Sequence, residues 1–258
     1  MEKQFYEILN ANPAYLGIHS ALGWFLYYDL GREEEAKDHF EYVIHRHKVG
    51  DYDEKDQKQR WDIAMAYAGM GGIVAEEKNY KLAESFYLLS LDILPTPVAY
   101  SQMGLLTKNF RKDFDFAVKF HRKALSLDPR GESEKIEIAI NYLYQKQKKK
   151  AEEMIKEINS NSSQHSWELA RFHAMLGDVK KVILFLESYL AQYSSRPLRE
   201  KQILDLILEE EDLQFIKGDN EFLAFIEAYQ RKMWTLTDEI NEKNENREVK
   251  KIGSVVES

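Results

Sequence analysis

The feature that most constrains this chain is a small residue that recurs on a helical pattern at a fixed spacing. Ala83, Ala117 and Ala151 are each separated from the next by 34 residues. A period between about 20 and 50 residues is typical of repeat proteins, in which each unit buries its apolar face against its neighbour. The spacing therefore predicts stacked copies of one structural unit.

Other positions recur with the same phase. Proline stands twelve residues after the first two of these alanines, at Pro95 and Pro129. Proline lacks a backbone N–H and restricts the residue before it, so it predicts that one helix of each unit ends there. Apolar residues spaced i, i+3, i+4 and i+7 around Gly71 and Gly104 predict another helix earlier in each unit. A non-repetitive helical bundle with coincidental alanines is the alternative interpretation.

The phase divides residues 1–236 into a half-repeat, five units and capping helices. The polar stretch from Val49 to Arg60 is an insertion after the first unit. The first and third units carry one extra residue between their glycine and their alanine, which we expect in the turn between the two helices. The predicted segments are 1–13 for the half-repeat, 14–48, 61–96, 97–130, 131–163 and 164–193 for the units, 198–236 for the capping helices, and 237–258 for a polar tail that is a frayed helix or disordered.

These offsets resemble the tetratricopeptide repeat (TPR) family, whose 34-residue helix-turn-helix unit carries Leu-Gly, Tyr, Ala, an aromatic residue, Ala and Pro at fixed places. The likeness is strongest over residues 61–129. It implies an all-α fold, a right-handed α-solenoid of antiparallel helix pairs. The stretch after residue 164 resembles an end-of-array element of bacterial proteins in this family, on the basis of Glu211-Asp212 and the aromatic helix that follows.

A terminal repeat has to shield its open apolar face from water. We therefore expect Phe215, Phe222, Phe225 and Ile226 to form the inner side of the cap. The acidic run from Glu209 to Asp212 is expected to stay solvated on its outside.

The resemblance also implies a concave groove lined by the first helix of each unit. Aromatic and arginine side chains dominate binding hot spots, because they bury a large area at a low cost in entropy. The alternative is that these aromatic residues fill a tight superhelix or pack on the chain's own tail. The candidate partner-binding residues are Trp24, Tyr28, Ser101, Leu105, Ile140, Tyr144, Trp167 and Arg171.

The sequence contains no recognisable catalytic or cofactor motif. With no cysteine, the chain has no disulfide, no Fe–S cluster and no thiol nucleophile. His45 and His47 are two apart near a helix end and point in different directions, which argues against a metal site. His121 and His173 fall at internal repeat positions, which favours a packing role. We therefore predict no catalytic residue, no metal and no cofactor; an enzyme with an unrecognised site is the minor alternative.

The run Gly69-Met70-Gly71-Gly72 superficially suggests a phosphate-binding loop. It lies within a helical pattern, however, with no preceding strand and no following Lys-Ser/Thr. Close helix packing is the preferred explanation for these glycines.

The net charge and the hydropathy of the sequence indicate which binding partners and which cellular location to expect. The net charge of −8 argues against nucleic acid as a partner, because phosphate recognition needs clustered Lys and Arg. Lys146 and Lys148–Lys150, flanked by Tyr142 and Tyr144, are a solvated turn or else a docking patch for an acidic partner or RNA. No apolar stretch of about 18 residues and no secretory signal are present, so we expect a cytoplasmic protein without a membrane partner.

Together these observations predict a non-catalytic module that binds a peptide or a partner protein in its groove. A structural subunit that contacts a larger assembly through its outer helices or its tail is the alternative.

Overall fold

A computed structural model describes residues 1–156, 158, 163–194, 197–233 and 235 of the chain. These residues form helices joined by turns, with no strand among them, which confirms the all-α prediction. The chain divides into two compact units, Met1–Glu157 and Ile158–Ser258. The predicted tail, 237–258, lies outside the described residues. Within the described part of the chain, no helix is both long enough and apolar enough to cross a bilayer.

Unit 1 is a stack of helix hairpins that follows a single opening helix. Helices α2, α4 and α6 lie side by side, and each packs on the helix that follows it in the chain. Its helices are α1 (Glu2–Ala11), α2 (Leu16–Trp24, continued to Leu30), α3 (Glu33–Lys48), α4 (Gln57–Glu76), α5 (Tyr80–Ile93), α6 (Pro97–Leu106, continued to Arg111), α7 (Phe114–Leu127), α8 (Glu132–Tyr144) and α9 (Lys148–Met154).

The recurring alanines lie in the core. Ala36, Ala83, Ala117 and Ala151 are all fully buried. Helices α5 and α7 end two residues before Pro95 and Pro129, and the residue after each helix has extended backbone. The helix ends that the sequence predicts from these prolines are confirmed.

The helical glycines lie against aromatic rings. A Cβ atom at Gly23 would come within 2.6 Å of the Phe40 ring, and one at Gly71 within 2.5 Å of the Tyr87 ring. In the third hairpin His121 takes the same place, with its ring 2.5 Å from a Cβ built on Gly104. Any side chain with a Cβ atom at these positions would force the two helices apart. The glycines therefore set the distance between the paired helices.

The glycine run in α4 is explained by the same kind of contact. Gly69, Gly71 and Gly72 face three different rings, those of Phe40, Tyr87 and Tyr27. Helix α4 contacts helices on both sides of it, and the glycines allow rings from these neighbours to approach its backbone. The prediction of close helix packing for this segment is confirmed.

The turn between the paired helices lies at the same distance along the chain from the recurring small residue in every pair. One residue in left-handed conformation, φ between 53° and 73°, stands five residues before each recurring small residue. Such a residue terminates a helix by redirecting the backbone, and glycine adopts this conformation most easily. The five positions are Gly31, Lys78, Lys112, Lys146 and Gly177.

The extra residue of the first and third units therefore cannot be in the turn, and that expectation is wrong. It lies at the end of the first helix, where Phe25–Leu30 and Thr107–Arg111 are π-helical. A π-helical turn closes its hydrogen bonds over five residues in place of four, and so takes up one additional residue without breaking the helix. The backbone N–H of Lys112 accordingly donates to the carbonyl of Thr107.

The insertion after the first unit forms a loop and lengthens the next helix. Residues 49–56 are not helical, and Gln57–Arg60 form the first turn of α4, which is 20 residues long. The Asp56 side chain accepts hydrogen bonds from the backbone N–H groups of Lys58 and Gln59, which caps the lengthened helix.

Unit 2 contains one more hairpin and the cap. The hairpin is α10 (Ser166–Met175) and α11 (Val179–Ala191), entered through a 3₁₀ turn at Ser163–His165. It is followed by α12 (Pro197–Glu209), a 3₁₀ helix at Glu211–Ile216 and α13 (220–233).

The cap buries a different set of residues from the predicted one. Phe222 and Ile226 are buried and Phe225 is half-buried, as expected, but Phe215 is 59% exposed. Leu213 and Ile216 are buried in its place. The reason is the 3₁₀ geometry: with three residues per turn, positions 213 and 216 fall on one face.

Candidate functional site

The side-by-side helices α2, α4 and α6 present a face that contains several of the predicted groove positions. We call this surface the first-helix face and define it by Trp24, Tyr28, Gly72, Glu76 and Gln102. All five lie in unit 1, on α2, its π-helical continuation, α4 and α6.

A stacked pair of aromatic rings is the most prominent element of this face. The rings of Trp24 and Tyr28 are 5.1 Å apart and 6° from parallel. The Trp24 indole N–H donates to the carbonyl of Met65, 3.1 Å away, which holds the indole in position. Trp24 is half-buried while Tyr28 is 46% exposed, so the outer ring of a fixed pair is open to solvent.

Side chains of α2 and α6 meet across α4. The Gln102 amide donates to the hydroxyl of Tyr28, 3.2 Å away, and its carbonyl accepts from the Tyr87 hydroxyl at 3.4 Å. On α4, a Cβ at Gly72 would be 3.3 Å from the Tyr27 ring, so the glycine leaves room for that ring. The contact between Gln102 and Tyr28 joins two helices that are not neighbours in sequence.

A carboxylate at the same face is held by a tyrosine. The Tyr27 hydroxyl donates a short hydrogen bond to the Glu76 carboxylate. Burial raises the pKa of Tyr27 far above its ordinary value, and the neighbouring Tyr28 and Glu76 add to that increase. The phenol consequently stays protonated and remains a hydrogen-bond donor to Glu76.

The predicted residues of the third and fourth pairs are more enclosed. Ser101 and Leu105 on α6 are half-buried, and Ile140 on α8 is fully buried. Tyr144 is half-buried and stacks on Phe114, with ring centroids 4.5 Å apart and planes 4° from parallel. Because Ile140 exposes no surface, we leave it out of the proposed binding surface.

The two predicted residues of unit 2 take part in contacts within that unit. Trp167 stacks on Tyr189 at 5.4 Å. Arg171 is 4% exposed, and its guanidinium donates to the Asp212 carboxylate from Nε at 2.9 Å and from Nη2 at 2.6 Å. The expectation that Asp212 stays solvated is wrong, because this buried arginine needs an anionic partner. Arg171 is likewise left out of the proposed surface.

Sequence reasoning missed the polar members of the face. Gln102 directly follows a predicted groove position, and its contact with Tyr28 requires knowledge of the helix stacking. Lys108, on the π-helical continuation of α6, is 2% exposed, with its ammonium 6.0 Å from the centre of the Tyr144 ring. The polar stretch around Lys108 gives no signal of burial, because the π-helical turn changes the direction of each side chain that follows.

His19, His39 and His121 lie in packing positions. His121 is fully buried against Gly104, and its Nδ1 is 2.7 Å from a carboxylate oxygen of Glu134. His19 stacks on Tyr42 and approaches His39, and burial lowers the pKa of both histidines. Among the residues described, no group of three or more His, Asp and Glu side chains is arranged to hold a metal ion.

Comparison with known proteins supports the fold. No sequence-family model and no curated protein sequence matches the chain. Among solved structures, a monomeric mutant of IFIT1 with Gppp-AAAA superimposes with a TM-score of 0.53 at 15% identity, over 90% of this chain and 57% of that one. The human IFIT1 dimer with m7Gppp-AAAA gives 0.51 at 15% identity, over 88% and 56%. YrrB, described as a TPR protein with an unusual peptide-binding site, gives 0.45 at 11% identity, over 79% and 98%.

These likenesses concern the fold alone. The two IFIT1 superpositions support the predicted all-α solenoid of helix pairs. The chain spans a little over half the length of the IFIT1 chains that it matches. The predicted exclusion of nucleic acid gains no support from them, since IFIT1 with the same type of fold was solved with m7Gppp-AAAA. That prediction continues to depend on net charge alone.

Proposed function

We propose that this chain is a non-catalytic interaction module that binds a peptide or a segment of a partner protein on the first-helix face of unit 1. The observation that carries the proposal is the fixed Trp24–Tyr28 stack with its outer ring 46% exposed. A rigid aromatic surface offers a large apolar area whose ordering is already complete before a partner binds.

The polar groups around the stack can orient a bound peptide through hydrogen bonds. Glu76 and Gln102 lie on the two helices beside Tyr28 and are oriented by hydrogen bonds to tyrosines. Oriented acceptors and donors next to an aromatic anchor are the usual composition of a peptide-binding surface. The half-buried Ser101, Leu105 and Tyr144 are the further contact positions that we propose on α6 and α8.

A packing role for the buried ionisable groups supports the non-catalytic part of the proposal. His121 forms a His–carboxylate pair with Glu134, an arrangement that also occurs in catalytic sites. It occupies the position that Tyr87 holds one repeat earlier. Both rings lie over a helical glycine, so the repeat itself accounts for a ring at this position.

Site-specific photo-cross-linking in cells of the source organism tests the proposal. We expect a benzophenone amino acid at position 28 to capture a partner protein, and Tyr28→Ala to weaken the binding of that purified partner at least tenfold, as expected for a hot-spot aromatic. The matched control is position 88, where Leu88 is 52% exposed on α5. Equal capture from both positions, or unchanged affinity for the alanine variant, would show that the first-helix face is not the binding surface.

A further inference from the structure

A second surface, away from the first-helix face, lies on α7 beside the start of α6. Phe116, Lys119, Phe120 and Lys123 follow one another at i, i+3, i+4 and i+7, and therefore share one side of the helix. With Tyr100 of α6 they line an open pocket of about 510 Å³. We call this surface the α7 pocket. Its volume falls in the range of about 300–1,000 Å³ that is typical of ligand sites.

The lysines of the α7 pocket are not a requirement of the repeat. The residues 34 positions before Phe116, Lys119, Phe120 and Lys123 are Leu82, Ser85, Phe86 and Leu89 on α5, so the ring of Phe120 recurs there but the two positive charges do not. The corresponding residues of α3, aligned on Ala36, are Glu35, Asp38, His39 and Tyr42. Since the hairpins of α3 and α5 stack without a lysine at the places of Lys119 and Lys123, hairpin packing does not explain these two lysines on α7.

The basic residues of the pocket have no acidic partner in the part of the chain that the structure describes. There, no carboxylate lies within ion-pair distance of Lys119, Lys123 or Arg122, which also lines the pocket. A further basic group lies nearby, because Arg122 donates to the hydroxyl of Tyr142 at 2.8 Å and Lys150 lies 5.7 Å from the centre of that ring. This concentration of positive charge occurs in a chain whose net charge is −8.

The apolar part of the pocket is open to solvent. Phe116 is 52% exposed, and Phe120 and Tyr100 are half-buried. Exposed aromatic surface next to cations is the complement of a bulky apolar side chain flanked by carboxylates.

We propose that the α7 pocket binds an acidic peptide segment that carries one bulky apolar side chain. The apolar side chain occupies the pocket against Phe116, Phe120 and Tyr100. Carboxylates on either side of it pair with Lys119 and Lys123. Binding here is independent of the first-helix face, because the α7 pocket shares no residue with it.

A peptide fits the geometry better than single-stranded nucleic acid does. Nucleic acid binding on aromatic residues depends on open ring faces on which bases stack. The ammonium of Lys119 is 4.3 Å from the centre of the Phe116 ring and covers one of its faces. What remains is a concave apolar space, which suits a side chain that inserts.

Fluorescence anisotropy with the full-length protein tests this proposal. The probe is a labelled synthetic peptide of Asp and Glu residues around one Trp. Two comparison peptides replace either the acidic residues by their amides or the Trp by Ala. We expect each comparison peptide to bind at least tenfold more weakly than the probe, because both the charges and the ring are recognised.

Protein variants locate the binding. We expect Phe116→Ala to reduce the affinity for the probe peptide at least tenfold. We expect the double variant Lys119→Glu, Lys123→Glu to have an effect of the same size. The control pair, Lys180→Glu and Lys201→Glu, makes the same change in net charge on exposed residues of unit 2 and should leave the affinity within twofold. Tyr28→Ala should also leave it unchanged, which separates this proposal from the proposed function.

Two outcomes would overturn the proposal. One is equal loss of affinity in the pocket pair and the control pair, which would mean that binding follows overall charge. The other is a ten-nucleotide oligouridine that binds more tightly than the peptide and loses affinity in the Lys119→Glu, Lys123→Glu variant. That result would assign the surface to single-stranded nucleic acid.

Discussion

At the scale of single residues, the closest contacts are between glycine and rings of different chemistry. Phe40, Tyr87 and His121 occupy equivalent places over Gly23, Gly71 and Gly104. The backbone spacing is the same for an apolar ring, a phenol and an imidazole, so shape is what the position requires. The polar rings also need hydrogen-bond partners: Tyr87 donates to Gln102 and His121 Nδ1 bonds Glu134, whereas the buried Nε2 of His121 has no partner among the described residues.

Asp62 is a residue whose charge opposes folding. It is 8% exposed, and one carboxylate oxygen has no hydrogen-bond partner. Burial raises its pKa from 3.8 to about 6, partly offset by Lys58. Below pH 3.8 the group is protonated in both the folded and the unfolded chain. Between pH 3.8 and 6 the unfolded chain ionises first, so this residue lowers the free energy of unfolding as the pH rises.

We therefore expect Asp62→Asn to stabilise the protein at pH 7.5 but not at pH 4. A pKa difference of about two units corresponds to about 3 kcal/mol at most, and we expect an increase of roughly 1–3 kcal/mol in the free energy of unfolding. Urea denaturation at the two pH values measures it. A stability difference of the same size at both pH values would contradict the assignment.

At the scale of elements, the π-helical turns take up the extra residue of the longer units, so that the left-handed residue stays five positions before the recurring small residue. The left-handed residue stands eight positions after the packing glycine in the first and third pairs, at Gly31 after Gly23 and at Lys112 after Gly104. In the second pair it stands seven positions after the glycine, at Lys78 after Gly71. The helix takes up the difference because both its ends are fixed, by the ring contact on one side and by the turn on the other.

Deletion of Asn109, which is exposed within the π-helical turn of the third pair, is expected to be tolerated. The shortened segment has the seven-residue spacing of the second pair and can return to α-helical hydrogen bonding. We expect thermal unfolding followed by circular dichroism to stay cooperative, with a midpoint within several degrees of the parent chain.

Deletion of Glu77 is the matched control. That residue is equally exposed, but its pair has no π-helical turn to lose, and the spacing would fall to six. We expect this variant to lose at least 2 kcal/mol of stability, since either the Tyr87 contact or the turn must break. Equal effects of the two deletions would show that the π-helical turn is not where the extra residue is absorbed.

At the scale of the whole molecule, the chain forms two compact units that have different internal supports. Unit 1 depends on repeated contacts between glycine and rings. Unit 2 contains the Arg171–Asp212 ion pair, in which both side chains are at most 5% exposed. Removing one member of a buried pair leaves an uncompensated charge and costs about 3–5 kcal/mol.

We expect Asp212→Asn to destabilise unit 2 selectively. Hydrogen exchange followed by mass spectrometry should show faster exchange in peptides from α10 and α11, with peptides from α4 and α5 unchanged. The double variant Arg171→Met, Asp212→Leu should recover most of the protection, because it removes both charges together. Faster exchange throughout unit 1 in the single variant would show that the two units do not unfold separately.

Several properties followed from the sequence alone. The 34-residue period, the buried alanines and the prolines after α5 and α7 predicted an all-α stack of hairpins. The glycine run in α4 predicted close packing and not a phosphate loop. Each of these rests on local spacing: residues three, four or seven apart on a helix share a face whatever the rest of the chain does.

Other properties were decided only by the tertiary structure. The extra residue lies in a π-helical turn, Phe215 is exposed, and Arg171 is buried against Asp212, 41 residues away along the chain. At the first-helix face, Gln102 donates to Tyr28 over a separation of 74 residues along the chain. Sequence spacing fixes which residues share one helix face, whereas contacts between helices depend on the distances and angles at which the hairpins stack.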